Sequence, residues 1–395
     1  VRAVSPSHSI DLFHDQAEVS TSLPASAFPI EQLPLRAAGP LGYDAVIYQM
    51  GNAPAHDFMY DWMKRVPGLV VLHDLVLHHS YARRYLESPE SRAYAADPSS
   101  GEKRLKAEEQ HRAYQASIDK VYPGLGERLK DAHLNSTGDL LPYAFPMFEP
   151  ALAHARAVGA HNAFMVEAVQ TARPDLSCAR LAMPVEPQTV VPGAAAALRR
   201  RLGLTEDAAV VGCFGLLTRE KRIENVARAI ARVAEIRPNV HWLLVGPVED
   251  PAWLSALLER TGTVKRTIVA GRLGRDEFNA AMAITDAVVH LRYPTARETS
   301  AALLRVLVQG RPVIISDIAN QSEIPDEVVR RVDPCDEEGE VSRAIDALLG
   351  DPAAALAMGE RASRYARAEH SNEKTRKTYE RLLNFASPDY SGRIS

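Results

Sequence analysis

Between residues 208 and 334, short apolar runs alternate with stretches of helical periodicity, and this alternation restricts the fold more than any other feature of the chain. Strands are expected at 209–214, 241–245, 267–270, 287–291 and 312–316. Between the first two, Ile223, Val226, Ala227, Ile230 and Val233 recur at the spacing of one helix face. Strand, helix and strand repeated in this way imply a parallel sheet covered on both faces, an α/β architecture of Rossmann-like type. The first half repeats the pattern less regularly, with strands expected at 10–13, 45–48, 69–72 and 157–160 and a charged helical insertion at about 80–141. Pro184, Pro187, Pro192 and Gly193 break both helix and central strand and mark a linker. The division that follows is an N-terminal Rossmann-like domain 1–183, a linker 184–193, a C-terminal Rossmann-like domain 194–375, and a helix crossing back with a tail at 376–395. A chain of 395 residues suits two such domains better than one core.

A formal charge of −4 argues against a general nucleic-acid binder, which needs a basic stripe to release counterions. Cys178, Cys213 and Cys335 stand far apart with no CxxC pair and read as reduced, structural thiols of a cytoplasmic protein. No run approaches the roughly 20 apolar residues of a membrane helix, and no charged and apolar leader opens the chain. The chain begins Val1-Arg2-Ala3-Val4-Ser5, with a strand pattern almost at once, so preceding sequence is expected to be missing.

Four stretches follow expected strands and carry usable chemistry. Phe214-Gly215-Leu216-Leu217-Thr218-Arg219-Glu220-Lys221-Arg222 leaves a strand and opens an amphipathic helix. Gly215 permits close backbone approach, and helix-start amides with Lys221 and Arg222 can neutralise a diphosphate; the plainer alternative is a solvated basic helix start. Arg297-Glu298-Thr299-Ser300 precedes an apolar helix that Thr299 or Ser300 would cap. There Glu298 could accept hydrogen bonds from sugar hydroxyls, or be a surface glutamate in a capping segment. Val71-Leu72-His73-Asp74 places an imidazole at a strand end, able to hydrogen bond or relay a proton, against a structural role for the same histidine. Tyr48-Gln49-Met50-Gly51-Asn52 offers Gln49, Gly51 and Asn52 to an acceptor's hydroxyls, or is simply a turn. Nothing fixes a metal geometry for His78 and His79, and no metal site is read.

Taken together these residues resemble glycosyltransferase family 4, the retaining GT-B enzymes. The resemblance runs in order through the phosphate loop and Lys221, Leu244-Val245-Gly246, Val269-Ala270-Gly271-Arg272-Leu273, Asp286-Ala287-Val288-Val289, residues 298–305 and Gly310-Arg311-Pro312. In the first half it rests on Ile10-Asp11-Leu12-Phe13, Tyr48-Gln49-Met50-Gly51-Asn52 and residues 71–79, like a bacterial branch associated with polysaccharide or glycolipid assembly. It implies a GT-B fold, two Rossmann-like domains with parallel sheets facing across a cleft, and transfer of a sugar from a nucleotide-diphosphate sugar to a glycan, lipid-linked or small-molecule hydroxyl with retention.

Carried over by position, the resemblance makes His73, Lys221 and Glu298 the catalytic residues. It makes Gly215, Arg222, Gly271, Arg272, Thr299 and Ser300 donor-binding, and implies no cofactor beyond the donor substrate. Lipid-linked acceptors would bring peripheral contact with the inner face of the cell membrane, for which the basic residues of the insertion are the candidate surface. Leu216 stands where the family often has Arg, Arg305 stands in place of a second glutamate, and the usual first strand with its glycine-rich loop is not found. A nucleotide-sugar epimerase and a non-catalytic GT-B partner protein are the competing readings.

Overall fold

The computed structural model describes residues 8–16, 19, 25–38 and 42–387, so the opening Val1 to Ser5 lies outside the described residues. The chain folds as two units: Val1–Ala182 with Ala296–Thr299 and Asn372–Ser395, and Met183–Thr295 with Ser300–Ser371.

In the first unit, β1 (Asp11–His14) and β2 (Ser26–Pro29) form a parallel pair. The strands β3 (Ile47–Met50), β4 (Gly68–Leu72), β5 (Ala155–Ala160) and β6 (Cys178–Arg180) make a parallel sheet in that order. Every residue of β4 is buried, as a strand covered on both faces must be. On one face lie Val70, Leu72, Val158 and Ala160 with Met63, Leu77 and Met165. Against the other face, Leu69, Val71, Ala157 and Leu181 meet Leu382 and Ala386 of the helix Asn372–Ala386. The insertion is helical at Pro89–Ala96, Gly101–Val121 and Gly126–Leu134, the first two started by Ser88 and Ser100 side chains accepting from backbone amides.

The second unit holds β7 (Ala209–Phe214), β8 (Val240–Val245), β9 (Thr267–Gly271), β10 (Ala287–His290), β11 (Val313–Ser316) and β12 (Arg330–Val332). All pairs are parallel, in the order β12-β11-β10-β7-β8-β9. The chain therefore steps outward from β7 to β9, then returns to the other side of β7 and steps outward again. Loops leaving β7 and β10 diverge in opposite directions, which opens a crevice at the carboxyl ends of these two strands. The helix Ile223–Ile236 buries Ile223, Val226, Ala227, Ile230 and Val233 against Val211, Trp242 and Leu244 on one sheet face. Val210, Phe214, Val288 and Leu243 face Leu303, Leu304 and Leu307 on the other.

The strands β2, β6 and β12 were not expected from sequence. Ser26–Pro29 is bounded by serine and proline, and Cys178–Arg180 and Arg330–Val332 are three residues that include arginine, so none presents an apolar run. Among the described residues no helix is long and apolar enough to cross a membrane.

Candidate active site

In the second unit the crevice is built from glycines. Gly215 leaves β7 with φ 96° and Gly246 leaves β8 with φ 141°, values that side-chain-bearing residues rarely adopt. Lys221 sits on the single turn Arg219–Lys221, is only 4% exposed, and donates from Nζ to the Phe214 carbonyl at the end of β7. A Cβ on residue 215 would stand 2.8 Å from that ammonium, so glycine here also makes room for the cation.

The neighbouring cations turn elsewhere. Arg222, itself at φ 57°, donates from Nε to the buried carboxylate of Glu337, which also accepts from Asn225 at 2.9 Å. Burial pushes the Glu337 pKa up while Arg222 opposes the shift. Arg219 lies over the Trp253 ring at 4.9 Å. Leu216 is exposed, and the exposed Arg305 rests over the Phe278 ring at 5.7 Å, a packing contact where the resemblance places a glutamate.

At the end of β10, His290 is buried and among the described residues neither ring nitrogen has a hydrogen-bond partner. Burial, and then the charges of Lys221 and Arg292, hold its pKa well below the ordinary value, so the ring is neutral. The amide of Arg292 donates to Ser316 Oγ at 3.0 Å, anchoring that residue beside β10 and β11. Cys213 feels Lys221 and Arg292 as well, although burial dominates and raises its thiol pKa. Two cations beside a neutral imidazole in a low-dielectric crevice form a seat for anionic oxygens. Gly271, at φ 65°, ends β9 and accepts at its carbonyl from the Gly246 amide at 2.8 Å; Arg272 follows, exposed. Ser300 caps the helix Ala301–Val308 by accepting from Leu303 N–H at 3.3 Å. A groove of about 450 Å³ in the same unit is lined by Asp207, Thr285, Asp286 and Arg311 at the amino ends of the strands, the edge opposite Lys221.

In the first unit β4 delivers His73 and β5 delivers His161 at adjacent carboxyl ends. His161 Nε2 lies 3.2 Å from His73 Nδ1, His161 Nδ1 lies 2.8 Å from the Leu181 carbonyl, and His73 Nε2 lies 2.8 Å from Gln49 Oε1. Gln49 reaches on to the Tyr379 hydroxyl at 3.3 Å, and the His56 ring stacks 6.1 Å from His73. Two neutral imidazoles bring two protons to three such contacts, so one contact must change. Burial, reinforced by His161 and His56, lowers the His73 pKa to about 3, and burial lowers that of His161, so the pair carries no extra proton. The Leu181 carbonyl can only accept, which places His161's proton on Nδ1. A hydrogen bond between the two rings therefore requires the His73 proton on Nδ1, with the Gln49 amide turned to offer its NH2 to Nε2. His73 is a neutral hydrogen-bonding group rather than a cation.

The other residues expected on this side hold the surrounding loop together. Asn52 N–H donates to Asp74 Oδ2 at 2.7 Å, and Asn52 Oδ1 accepts from the Ser80 amide at 3.0 Å. Gly51 is buried where a Cβ would come 3.1 Å from Asp74 Oδ2 and from His56 Nε2. His78 is committed on both nitrogens, to the Phe145 carbonyl and the Tyr114 hydroxyl.

Glu298 and Thr299 belong to the segment Ala296–Thr299, which clusters with the first unit. The Ala296 carbonyl accepts from the amides of Leu75 and Val76 at 3.0 and 3.1 Å, just beyond His73. Asn162 Nδ2 donates to the Arg297 carbonyl at 2.9 Å and to Thr299 Oγ1 at 3.3 Å. His161 and Asn162 escaped the sequence reading, as did His290 and Arg292. The usable signal was position, since each pair ends or directly follows an apolar run, as His73 does.

His73 and His78 have folded-state pKa values depressed to about 3 and 4, both mainly by burial, against an ordinary 6.5. Their contribution to stability is complete above 6.5 and is lost as pH falls toward those values. Each should tilt the unfolding free energy by about 1.4 kcal/mol per pH unit below about pH 6. Urea unfolding between about pH 7 and 5 checks this, and a flat profile would contradict the neutral-histidine assignment.

Residues 195–367 match the family model described as "Glycosyl transferases group 1". The 2-deoxystreptamine glucosyltransferase of Streptomyces kanamyceticus is 26% identical over 196 residues, 46% of this chain. The match spans 49% of that relative, about half its length. Among solved structures, sucrose-phosphate synthase from Thermosynechococcus elongatus is similar over 96% of this chain and 89% of its own, with TM-score 0.61 and 16% identity. Anabaena Alr3699/HepE, solved with UDP and glucose, is similar over 86% of this chain and 98% of its own, with TM-score 0.55 and 16% identity. The chain thus has the two-Rossmann-unit fold of GT-B glycosyltransferases, and the greater part of its second unit matches the group 1 glycosyl transferases.

Proposed function

We propose that the protein is a glycosyltransferase that moves a sugar from a nucleoside-diphosphate sugar to a hydroxyl acceptor with retention of anomeric configuration, as family 4 enzymes do. The observation that carries this reading is Lys221, a buried cation at the carboxyl end of β7, on the crevice between β7 and β10 of a unit that matches group 1 glycosyl transferases. The similar Anabaena protein was solved with UDP, which makes UDP-sugars the first donors to try.

As the sugar–phosphate bond breaks through an oxocarbenium-like state, negative charge gathers on the departing diphosphate. Lys221 and Arg292 stabilise it from fixed positions, at no cost in reorganisation. Gly215, Ser300, Gly271 and Arg272 complete the donor side, the last two toward the nucleobase, while Arg222, drawn to Glu337, serves only to hold the turn that carries Lys221. Glu298 and Thr299 are assigned to the sugar's hydroxyls, with His73 a neutral hydrogen-bonding neighbour. Gln49, near the end of β3, and Gly51 and Asn52 in the loop after it shape the acceptor side. The acceptor, a glycan, a lipid-linked sugar or a small molecule, attacks from the face the leaving group departs. A lipid-linked acceptor would bring the protein to the cytoplasmic face of the membrane.

A panel of nucleoside-diphosphate sugars tests this directly. The true donor at about 100 times its Kd should raise stability by about 2.7 kcal/mol. With an acceptor added, the product should keep the donor's anomeric configuration, read from NMR couplings. A panel in which no nucleotide sugar raises Tm would dismiss the proposal. Conversion of the donor without any acceptor would favour an epimerase instead.

A further inference from the structure

We propose that His161 and Asn162 are a positioning pair, one dipeptide that sets two of the first-unit residues assigned to the sugar: His73 through the imidazole and Glu298 through the amide. The inference rests on the glycosyltransferase reading and extends it to two residues with no assigned role. Both follow directly on β5, the strand paired with β4, so they emerge at the same sheet edge as His73. Their exposures are 5% and 1%, which leaves them little access to a ligand and suits them to acting through neighbours.

His161 is fixed from behind by the Leu181 carbonyl and hands that constraint forward. With Nδ1 donating to Leu181 at 2.8 Å, its Nε2 must accept, and a bond between the rings requires the His73 proton on Nδ1, with Gln49 turned to donate to His73 Nε2. One backbone carbonyl thereby decides which face of the His73 ring donates and which accepts.

Asn162 is engaged at both ends of its side-chain amide. Its Oδ1 accepts from Met165 N–H at 2.9 Å and starts the helix Ala163–Ala172, while both Nδ2 protons go to the residues on either side of Glu298. The Ala296 carbonyl is held independently by Leu75 and Val76. Arg297 sits at φ 62°, a conformation a non-glycine residue keeps only when its surroundings over-determine it. The bonds from Asn162, Leu75 and Val76 do this, and they fix the direction in which the next residue, Glu298, leaves the backbone.

Asn162→Asp separates capping from positioning. Aspartate still accepts from Met165 N–H but has no proton for Arg297 or Thr299. The carboxylate is buried against the Arg297 carbonyl and lowers the melting temperature, so the variant is assayed below its own transition, where it should bind UDP with unchanged Kd. Its turnover should fall about 10²-fold, the scale of a misplacement near 1 Å, and amide exchange at residues 297–299 should quicken. His161→Phe should move the His73 proton, seen by imidazole ¹⁵N NMR as loss of the Nδ1–H tautomer, with a similar fall in turnover. Wild-type His73 protonated on Nε2, or unchanged exchange at 297–299 in Asn162→Asp, would overturn the pair whatever the activity. Full turnover in both variants would overturn it as well. If the tautomer and exchange results come out as expected but the wild-type protein turns over no donor, the glycosyltransferase reading is what fails.

Discussion

Lys221→Met should lower turnover by about 10²–10³-fold while the protein still folds, because methionine refills the aliphatic volume and removes only the charge. The expectation follows from where the ammonium sits. It is buried at the end of β7, held by the Phe214 carbonyl, with space kept open for it by Gly215. A cation fixed in a low-dielectric site acts on developing phosphate charge far more strongly than one waving in water. The lost charged bond to Phe214 costs about 1.5–3 kcal/mol, which a domain of this size tolerates. Steady-state kinetics and UDP calorimetry together are the check. Turnover within about threefold of wild type would remove Lys221 from the mechanism, since a lost oxyanion-type donor costs at least ten times more.

Gly246→Ala should be the most damaging glycine substitution in the candidate site. A Cβ there would lie 2.1 Å from the Gly215 carbonyl oxygen and 2.6 Å from its carbon, so backbone meets backbone and no rotamer change relieves it. The φ of 141° adds strain for any residue with a side chain. Destabilisation of about 3 kcal/mol or more is expected, with loss of UDP binding because Gly215 opens the loop that carries Lys221. Gly271→Ala is the control: φ is 65° and no atom lies within 4 Å of the added methyl, so it should cost only about 1 kcal/mol. Equal urea midpoints for the two variants would contradict the close approach of the β7 and β8 ends.

The second unit was more legible than the first because its strands alternate regularly with helices that are two-toned. The helix Ile223–Ile236 presents five apolar residues at helical spacing, and the same five are buried in the structure. Strand β3 was expected two residues early, since Ala45 and Val46 are as apolar as the strand itself, and only hydrogen bonding decides where pairing begins. In the candidate site, sequence pointed to Lys221, but it could not tell that Arg222 would turn to Glu337, 115 residues away. The two share no local pattern, and the pairing exists only because the helix Glu337–Gly350 packs on the helix Ile223–Ile236. The roles of His161 and Asn162 are not legible in the sequence for a related reason: a single polar residue after a strand gains meaning only when its spatial neighbours are known.

The sequence by itself determined the α/β class, the parallel strands and the placing of His73 and Gly215 at strand ends, because apolar periodicity and glycine preference are local properties written into consecutive residues. Tertiary structure alone decided which strands are neighbours, which of three clustered cations stays at the crevice, and which imidazole nitrogen carries a proton. Those are settled by burial and by hydrogen bonds between residues distant in the chain, such as His73 with His161 and Asn162 with Arg297.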